Sequence, residues 1–267
     1  MSFSEVYRYP EYYDLGYRWN TEAECDFIEA CLEAYAPKGS KRLFDIGCGS
    51  GRHLFPLAKK GYQMTGVDVR PEMVAYVEAQ AKAQKLSVTV EKGDINALTE
   101  SGPFDFAYCI MDTFRFLLTN EAIVNHLRTV AGMLAPGGLY VTDFWVPRQL
   151  DQIGNEVHQW EQAEGSTTVR VFYLQHPETV DPITQTFEDE LVFEIQKDGE
   201  TQQEIRGGPT RTRLILPQEF RALVEASGVF DILSTHAEFD IDKPFDLASL
   251  AWRMITVLRK RPTGDAE

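Results

Sequence analysis

An aspartate and three alternating glycines, Asp45-Ile-Gly47-Cys-Gly49-Ser-Gly51, close a short apolar run over 42–46. Glycine at alternate positions lets the backbone turn left-handed and lets a ligand approach the main chain. A helix from about 51 to 60 would aim its first, unpaired N–H groups at that ligand. Asp45 is the reactive group of the stretch. Burying a carboxylate at the end of an apolar strand is costly unless it meets a donor or a cation. A turn of this kind belongs at the carboxyl end of the first strand of a parallel sheet, where open α/β folds bind ligands.

Two more acids follow at similar places. Asp68 ends the predicted second strand, 62–68, and Asp94 lies in Gly93-Asp94-Ile95 after the third, 87–91. A dinucleotide fingerprint, G-x-G-x-x-G, would need glycine at 52, where Arg52 stands. A pyrophosphate is also an awkward neighbour for Asp45. A ligand with an ammonium and a sulfonium, and no phosphate, suits that carboxylate better.

The series Asp45-x-Gly47-x-Gly49-x-Gly51, Gly66-Val-Asp68, Gly93-Asp94 and Leu134-Ala-Pro-Gly-Gly138 resembles the motifs of the class I S-adenosylmethionine-dependent methyltransferases. The resemblance covers about residues 40–145 and implies S-adenosyl-L-methionine as cofactor. It implies that Asp45 and the turn Gly47, Gly49, Gly51, Arg52 hold the methionine part. Asp68 would accept from both ribose hydroxyls, a task suited to a carboxylate. Val69 would lie on one face of adenine, Asp94 would accept from its amino group, and Ile95 would lie beside the ring. Cys109 and Met111 would line the reacting end, and Tyr13 would cover the cofactor from an N-terminal lid.

Methyl transfer from a sulfonium is an in-line displacement, so positioning supplies much of the acceleration. An amine or phenol acceptor must also lose a proton. Nucleobase amino-methyltransferases that resemble this fold carry N/D-P-P-Y/F after the fourth strand; this chain has Cys109-Ile-Met-Asp112. A small-molecule acceptor is therefore expected, with nitrogen ahead of oxygen. Tyr13-Asp14, Met111-Asp-Thr-Phe-Arg-Phe-Leu117, Phe144-Trp-Val-Pro147 and Thr-Arg-Leu-Ile-Leu-Pro217 resemble the small-molecule N-methyltransferases, among them dimeric enzymes that dimethylate amino sugars. The candidate catalytic residues are Asp112 and His158, with His158 as base; the plainer reading of His158 is a surface or structural histidine. Candidate substrate residues are Arg115, Trp145, Arg211 and Arg213. Trp145 would offer its π-face to a cationic amine, or simply pack in the core. Arg211 and Arg213 would grip a carboxylate, or pair across strands with acids such as Glu188 or Glu190.

These residues need a scaffold, and the pattern supplies one. Strands over 42–46, 62–68, 87–91, 104–110 and 139–144 alternate with helices over 71–84, 113–118 and 120–134, which argues for a parallel sheet covered on both faces. An earlier helix starts near Thr21, with Thr21-x-x-Glu24 as a capping box, and ends at Pro37 and Gly39. From about 146 the pattern changes to long strands over 155–164, 167–175, 183–197 and 200–214. A helix from Pro217 to Gly228 and strands over 229–239 and 250–258 restore it. The expected fold is α/β: a Rossmann-like, seven-stranded, mostly parallel sheet with helices on both faces, plus an antiparallel insertion. Residues 1–145 and 215–260 would form the cofactor domain, with 1–19 as an aromatic lid. Residues 146–214 would roof the substrate or form a homodimer contact.

Composition bounds the partners. The net charge of −15 and pI of about 4.8 oppose a broad nucleic-acid or anionic-membrane surface. The start lacks the basic and apolar regions of a signal peptide, and no apolar run reaches membrane-span length, so a cytoplasmic setting is expected. The four cysteines form no C-x-x-C pair, so neither a metal site nor a disulfide framework is expected. Two other classes remain: a nicotinamide-linked oxidoreductase, opposed by Arg52 and Asp45, and a non-catalytic cofactor-binding protein.

Overall fold

A computed structural model describes residues 5–99, 102–147, 158–246, 248–249 and 251–262. A 3-10 turn, Glu5–Arg8, leads into α1 (Pro10–Tyr17), a second such turn, Arg18–Asn20, and α2 (Thr21–Tyr35). Then come β1 (Arg42–Ile46), α3 (Leu54–Lys59), β2 (Gln63–Asp68), α4 (Pro71–Gln84), β3 (Val88–Lys92) and β4 (Phe104–Cys109). A 3-10 turn, Thr113–Phe116, precedes α5 (Asn120–Met133) and β5 (Leu134–Trp145). The antiparallel part is β6 (His158–Glu164), β7 (Thr167–Asp181), β8 (Thr186–Lys197), β9 (Glu200–Arg206) and β10 (Thr210–Arg213). The chain closes with α6 (Pro217–Ser227), β11 (Phe230–His236) and β12 (Arg253–Lys260).

The main sheet has seven strands in the order β11-β12-β5-β4-β1-β2-β3. β1 to β5 run parallel, and β12 is antiparallel to both of its neighbours. The strand order reverses between β1 and β4, so the loops after these strands diverge and leave a crevice at their carboxyl ends. Strands buried on both faces are mostly apolar, as Leu43, Phe44 and Ile46 of β1 and Phe106, Ala107 and Tyr108 of β4 show. The second sheet runs β10-β8-β7-β6, with β9 sharing the outer edge of β8. The N-terminal segment packs on this sheet: Val6, Leu15 and Tyr17 bury against Val169, Val171 and Phe193.

One aromatic cluster ties the main sheet to the loop that matters most. Phe114, just past β4, packs edge-on against Phe220 of α6 at 5.5 Å, and Phe144 of β5 does so at 5.1 Å. All three are fully buried. At about 1.5–3 kcal/mol for each buried side chain of this size, the cluster fixes the turn that carries Asp112 and Arg115.

Three sequence expectations are corrected. The capping box at Thr21 and Glu24 does not form: both side chains bind Arg52 instead. The helix after the glycine turn starts at Leu54 rather than Gly51, because Gly51 is left-handed at φ +78°. The strand expected over 200–214 breaks in two at Gly207-Gly208-Pro209, where Gly208 is left-handed and Pro209 has no N–H for a ladder. The first residues of the strands expected at 155 and 250 lie outside the described residues.

Candidate functional site

The glycine turn is built for close approach. Gly47, Gly49 and Gly51 have φ of +79°, +52° and +78°. A Cβ on Gly47 would come within 2.6 Å of Thr113 Cγ2, and one on Gly49 would meet the Tyr13 ring at 3.4 Å. Four N–H groups of the turn are paired within the protein. Gly47 and Cys48 both donate to Val67 O at 2.8 and 2.9 Å, Gly49 donates to Asp68 Oδ2 at 2.9 Å, and Gly51 donates to Cys48 O at 2.9 Å. With these four donors used, the turn is a poorer cradle for pyrophosphate. It suits a ligand held by shape and by acceptors.

Behind the turn lies a buried charge network. Arg52 pairs with Glu24 at 2.5 Å and donates to Tyr17 O and Thr21 Oγ1 at 3.1 and 3.0 Å. His53 meets Glu24 at 2.7 Å, and its Nδ1 lies 3.7 Å from Asp45 Oδ2. Burial pushes the Glu24 carboxyl up, but Arg52 and His53 outweigh it and hold the group below its usual range. Arg52, Asp45 and Gly51, expected at the cofactor, therefore sit on the protein's side of the turn. Arg52 is consumed by Glu24. Gly51 is needed because a Cβ there would strike Val77 and Phe55. Asp45 Oδ2 is buried and has no hydrogen-bond partner among the described residues.

In front of the turn is a cavity of about 360 Å³, walled by Tyr13, Gly47, Gly49, Asp68, Val69, Asp94 and Ile95 among others. Asp68 Oδ1 accepts from the N–H of Arg70 at 2.8 Å while Oδ2 holds Gly49. Burial raises its pKa, and the two N–H groups oppose the rise. Asp94 Oδ1 accepts from the backbone and side-chain nitrogens of Asn96 at 2.8 and 3.0 Å. His126 donates from Nδ1 to Ile95 O at 3.0 Å, and its Nε2 lies 2.8 Å from Tyr140 Oη. Burial pulls the His126 pKa down to about 4, so it stays neutral and holds the loop after β3. Arg211, expected at the substrate, lines this cavity instead. It reaches Glu188 at 3.0 Å, the cross-strand partner considered from the sequence, and Thr186 Oγ1 at 3.1 Å. Cys109, expected at the reacting end, is fully buried behind the strand end and lines neither cavity. The acceptors Asp68 and Asp94, the glycine floor and the Tyr13 ring fit an adenosine bearing a methionine tail.

A second cavity, of about 590 Å³, adjoins the first along a rim shared by Tyr7, Tyr13, Thr113, Phe116 and Thr210. Its wall holds Met111, Asp112, Arg115, Trp145 and His158, five of the residues singled out from the sequence. Tyr17, Trp160 and Tyr173 add aromatic surface. Asp112 Oδ1 accepts the Trp145 N–H at 2.6 Å, while Oδ2 lies 3.9 Å from Arg115 Nη1. Arg115 lines the cavity but is almost fully buried, and its guanidinium is engaged by the protein. It donates to Arg213 O at 2.9 Å, Tyr173 Oη at 2.9 Å, Asp189 Oδ2 at 3.1 Å and Thr212 Oγ1 at 2.7 Å. It thus pins the loop after β4 to the antiparallel sheet. Arg213 faces away from the cavity, held by Asn120 and Glu219 at 2.5 and 2.6 Å. His158 is exposed on β6 at the cavity edge.

Several site residues escaped the sequence reading. Tyr173 and Asp189 of the antiparallel sheet line the acceptor cavity, and nothing in their local pattern marks them. Asp143 did leave a signal, as an acid inside the buried strand β5. Its Oδ2 lies 3.1 Å from Arg253 Nη1, and its Oδ1 accepts the Asp112 N–H at 3.3 Å. Burial pushes its pKa up to about 7 against the pull of Arg253, and Asp112 adds to the rise. No group of His, Cys, Asp and Glu among the described residues is arranged to hold a metal.

Residues 43–138 match the methyltransferase domain family. A protein named as a methyltransferase, from Geobacillus sp. (strain WCH70), is 29% identical over 127 residues, 48% of this chain and 51% of that protein. The chain thus spans about half the length of that relative. A solved S-adenosylmethionine-dependent methyltransferase from Clostridium acetobutylicum ATCC 824 superposes with TM-score 0.72 at 20% identity, covering 89% of this chain and 91% of the other. The sugar N-methyltransferase KedS8 from Streptoalloteichus sp ATCC 53650 does so with TM-score 0.72 at 18% identity, covering 98% and 95%. At these identities the two structures establish the fold.

Proposed function

We propose that this chain is an S-adenosylmethionine-dependent methyltransferase that methylates an amine nitrogen of a small molecule. One observation carries the reading: a carboxylate, Asp112, stands in an aromatic-walled cavity that opens onto the cofactor cavity at Tyr13, Thr113 and Phe116. When bound, the cofactor supplies an electrophilic methyl group on a sulfonium. Asp68 and Asp94 would hold its ribose hydroxyls and adenine amino group. Tyr13, over Gly49, would close the site from the lid.

The acceptor cavity is equipped for a protonated amine. Trp145 and Trp160 line it, and aromatic rings favour a cation over their faces. Burial holds the phenols of Tyr13, Tyr17 and Tyr173 well above their usual pKa, so they remain neutral and do not act as bases. Proton acceptance falls to Asp112 through Oδ2. Asp112 would take the proton of the ammonium N–H, leaving the amine lone pair free toward the methyl group that the cofactor would supply. An alcohol, with a far higher pKa, would need a stronger base than a carboxylate. His158, at the cavity edge, would then relay the proton to water. Trp160, Tyr173 and Asp189 of the insertion would help to select the acceptor, and Asp68, Asp94 and the glycine turn would hold the cofactor. The net charge of −15 supports a small acceptor over a polyanionic nucleic acid.

The test is Asp112→Asn, with S-adenosylhomocysteine release measured on an amine acceptor found by screening. The expected fall in kcat is about 10²–10⁴-fold, with calorimetric affinity for S-adenosylhomocysteine retained. An unchanged kcat removes Asp112 from the chemistry.

A further inference from the structure

We propose that Asp143 is a positioning residue for the acceptor site: anchored by Arg253, it holds the left-handed Met111–Asp112 corner and so sets where Asp112 Oδ2 meets the acceptor. The inference rests on the role given to Asp112 above. Its grounds are geometric. β4 pairs with β5 only as far as Cys109 opposite Thr142, and then the chain leaves the sheet. Met111 and Asp112 follow with φ of +61° and +63°, a conformation that side chains with a Cβ resist. Two consecutive residues in this region persist only when their surroundings impose it, and such strain gathers at functional sites.

The imposing contacts are on the page. Where the backbone ladder stops, two side-chain bonds replace it in reciprocal fashion. Asp143 Oδ1 takes the Asp112 N–H at 3.3 Å, and Asp112 Oδ1 takes the Trp145 N–H at 2.6 Å. Asp112 is left with Oδ2 for the cavity. Arg253 closes the arrangement from the far side. Its guanidinium meets Asp143 Oδ2 at 3.1 Å and Met111 Sδ at 3.9 Å, and it lies 3.9 Å from the Trp252 ring and 5.2 Å from that of Phe239. Asp143 itself is 1% exposed and does not line the acceptor cavity. It acts through Asp112.

Amide hydrogen exchange, followed by NMR, tests this without an acceptor. Asp143→Ala should speed exchange at the Asp112 and Trp145 amides by about tenfold or more, since both lose their shared clasp. Asp143→Asn, which keeps a carbonyl oxygen for the Asp112 N–H, should recover much of that protection. Arg253→Met should loosen the same two amides and gives the answer if Asp143→Ala does not fold. Calorimetric affinity for S-adenosylhomocysteine should hold in all three. With an amine acceptor, Asp143→Ala should lower kcat by about a hundredfold at unchanged cofactor KM, the scale expected for a misplaced group. Wild-type exchange at both amides in Asp143→Ala, or in Arg253→Met, overturns the proposal. So does loss of cofactor affinity in step with kcat, which marks a general packing role. Failure of the wild-type protein to bind S-adenosylhomocysteine would defeat the methyltransferase reading and leave the exchange test standing.

Discussion

Gly47 and Gly39 share a left-handed backbone, at +79° and +88°, but not a neighbourhood. Nothing lies within 4 Å of a Cβ on Gly39, whereas one on Gly47 meets Thr113 at 2.6 Å. Gly39→Ala should therefore cost only the backbone strain, about 1–2 kcal/mol. Gly47→Ala should cost more and should also weaken S-adenosylhomocysteine binding, because Thr113 must shift from the rim of both cavities. Urea denaturation and calorimetry on the pair separate strain from clash; equal costs and unchanged affinity would contradict the crowding argument. Asp68→Ala should weaken the same ligand by about 1.5–3 kcal/mol, the range for hydrogen bonds to a charged group. An unaltered affinity would take Asp68 out of the site. At this scale the sequence was legible where backbone position decides the outcome: Gly47, Gly49, Asp68 and Asp94 stand at strand ends and reach the cavity wall. It was not legible for Arg52, Cys109 and Arg213. A side chain's direction depends on partners distant in sequence, here Glu24 for Arg52 and Asn120 for Arg213.

Elements carry the site through a few buried polar links. His126 of α5 holds the Ile95 carbonyl beside the cofactor cavity and faces Tyr140 of β5. Its pKa is depressed from 6.5 to about 4 in the folded chain by burial. The unfolded chain thus binds the proton more readily over that interval. Stability is then full above pH 6.5 and falls as the pH drops toward 4, by on the order of 3 kcal/mol from this residue. His126→Gln should flatten that slope in urea unfolding measured across the interval, whatever its effect on stability at neutral pH. A slope equal to the wild type would assign the acid sensitivity elsewhere. β1, β4 and α4 were readable because burial on both faces, or on one helix face, imposes apolar spacing. The antiparallel strands were readable in kind but not in extent. β7 runs on to Asp181 through a stretch containing Pro177, and β9 and β10 separate at a glycine pair. Turn geometry sets those limits, and periodicity does not report it.

In the whole molecule, both sheets contribute to both cavities. The parallel sheet presents Asp68, Asp94 and the glycine turn at the carboxyl ends of its strands. The antiparallel sheet and the N-terminal aromatics close the acceptor cavity from the other side. Arg115 joins the layers through four hydrogen bonds to the insertion. No helix among the described residues is long and apolar enough to cross a membrane. The sequence motifs reached the first cavity because much of its lining stands at strand ends. They fell short of the acceptor because its cavity is assembled from residues as far apart as Tyr7 and Arg253. The most direct measurement is S-adenosylhomocysteine formation from S-adenosylmethionine across small molecules matched in pairs, each amine beside the alcohol of the same skeleton. The proposed function predicts product from amine members, none from their alcohol partners, and collapse of the amine signal in Asp112→Asn. Product from the alcohols alone, or full amine turnover by Asp112→Asn, would contradict it.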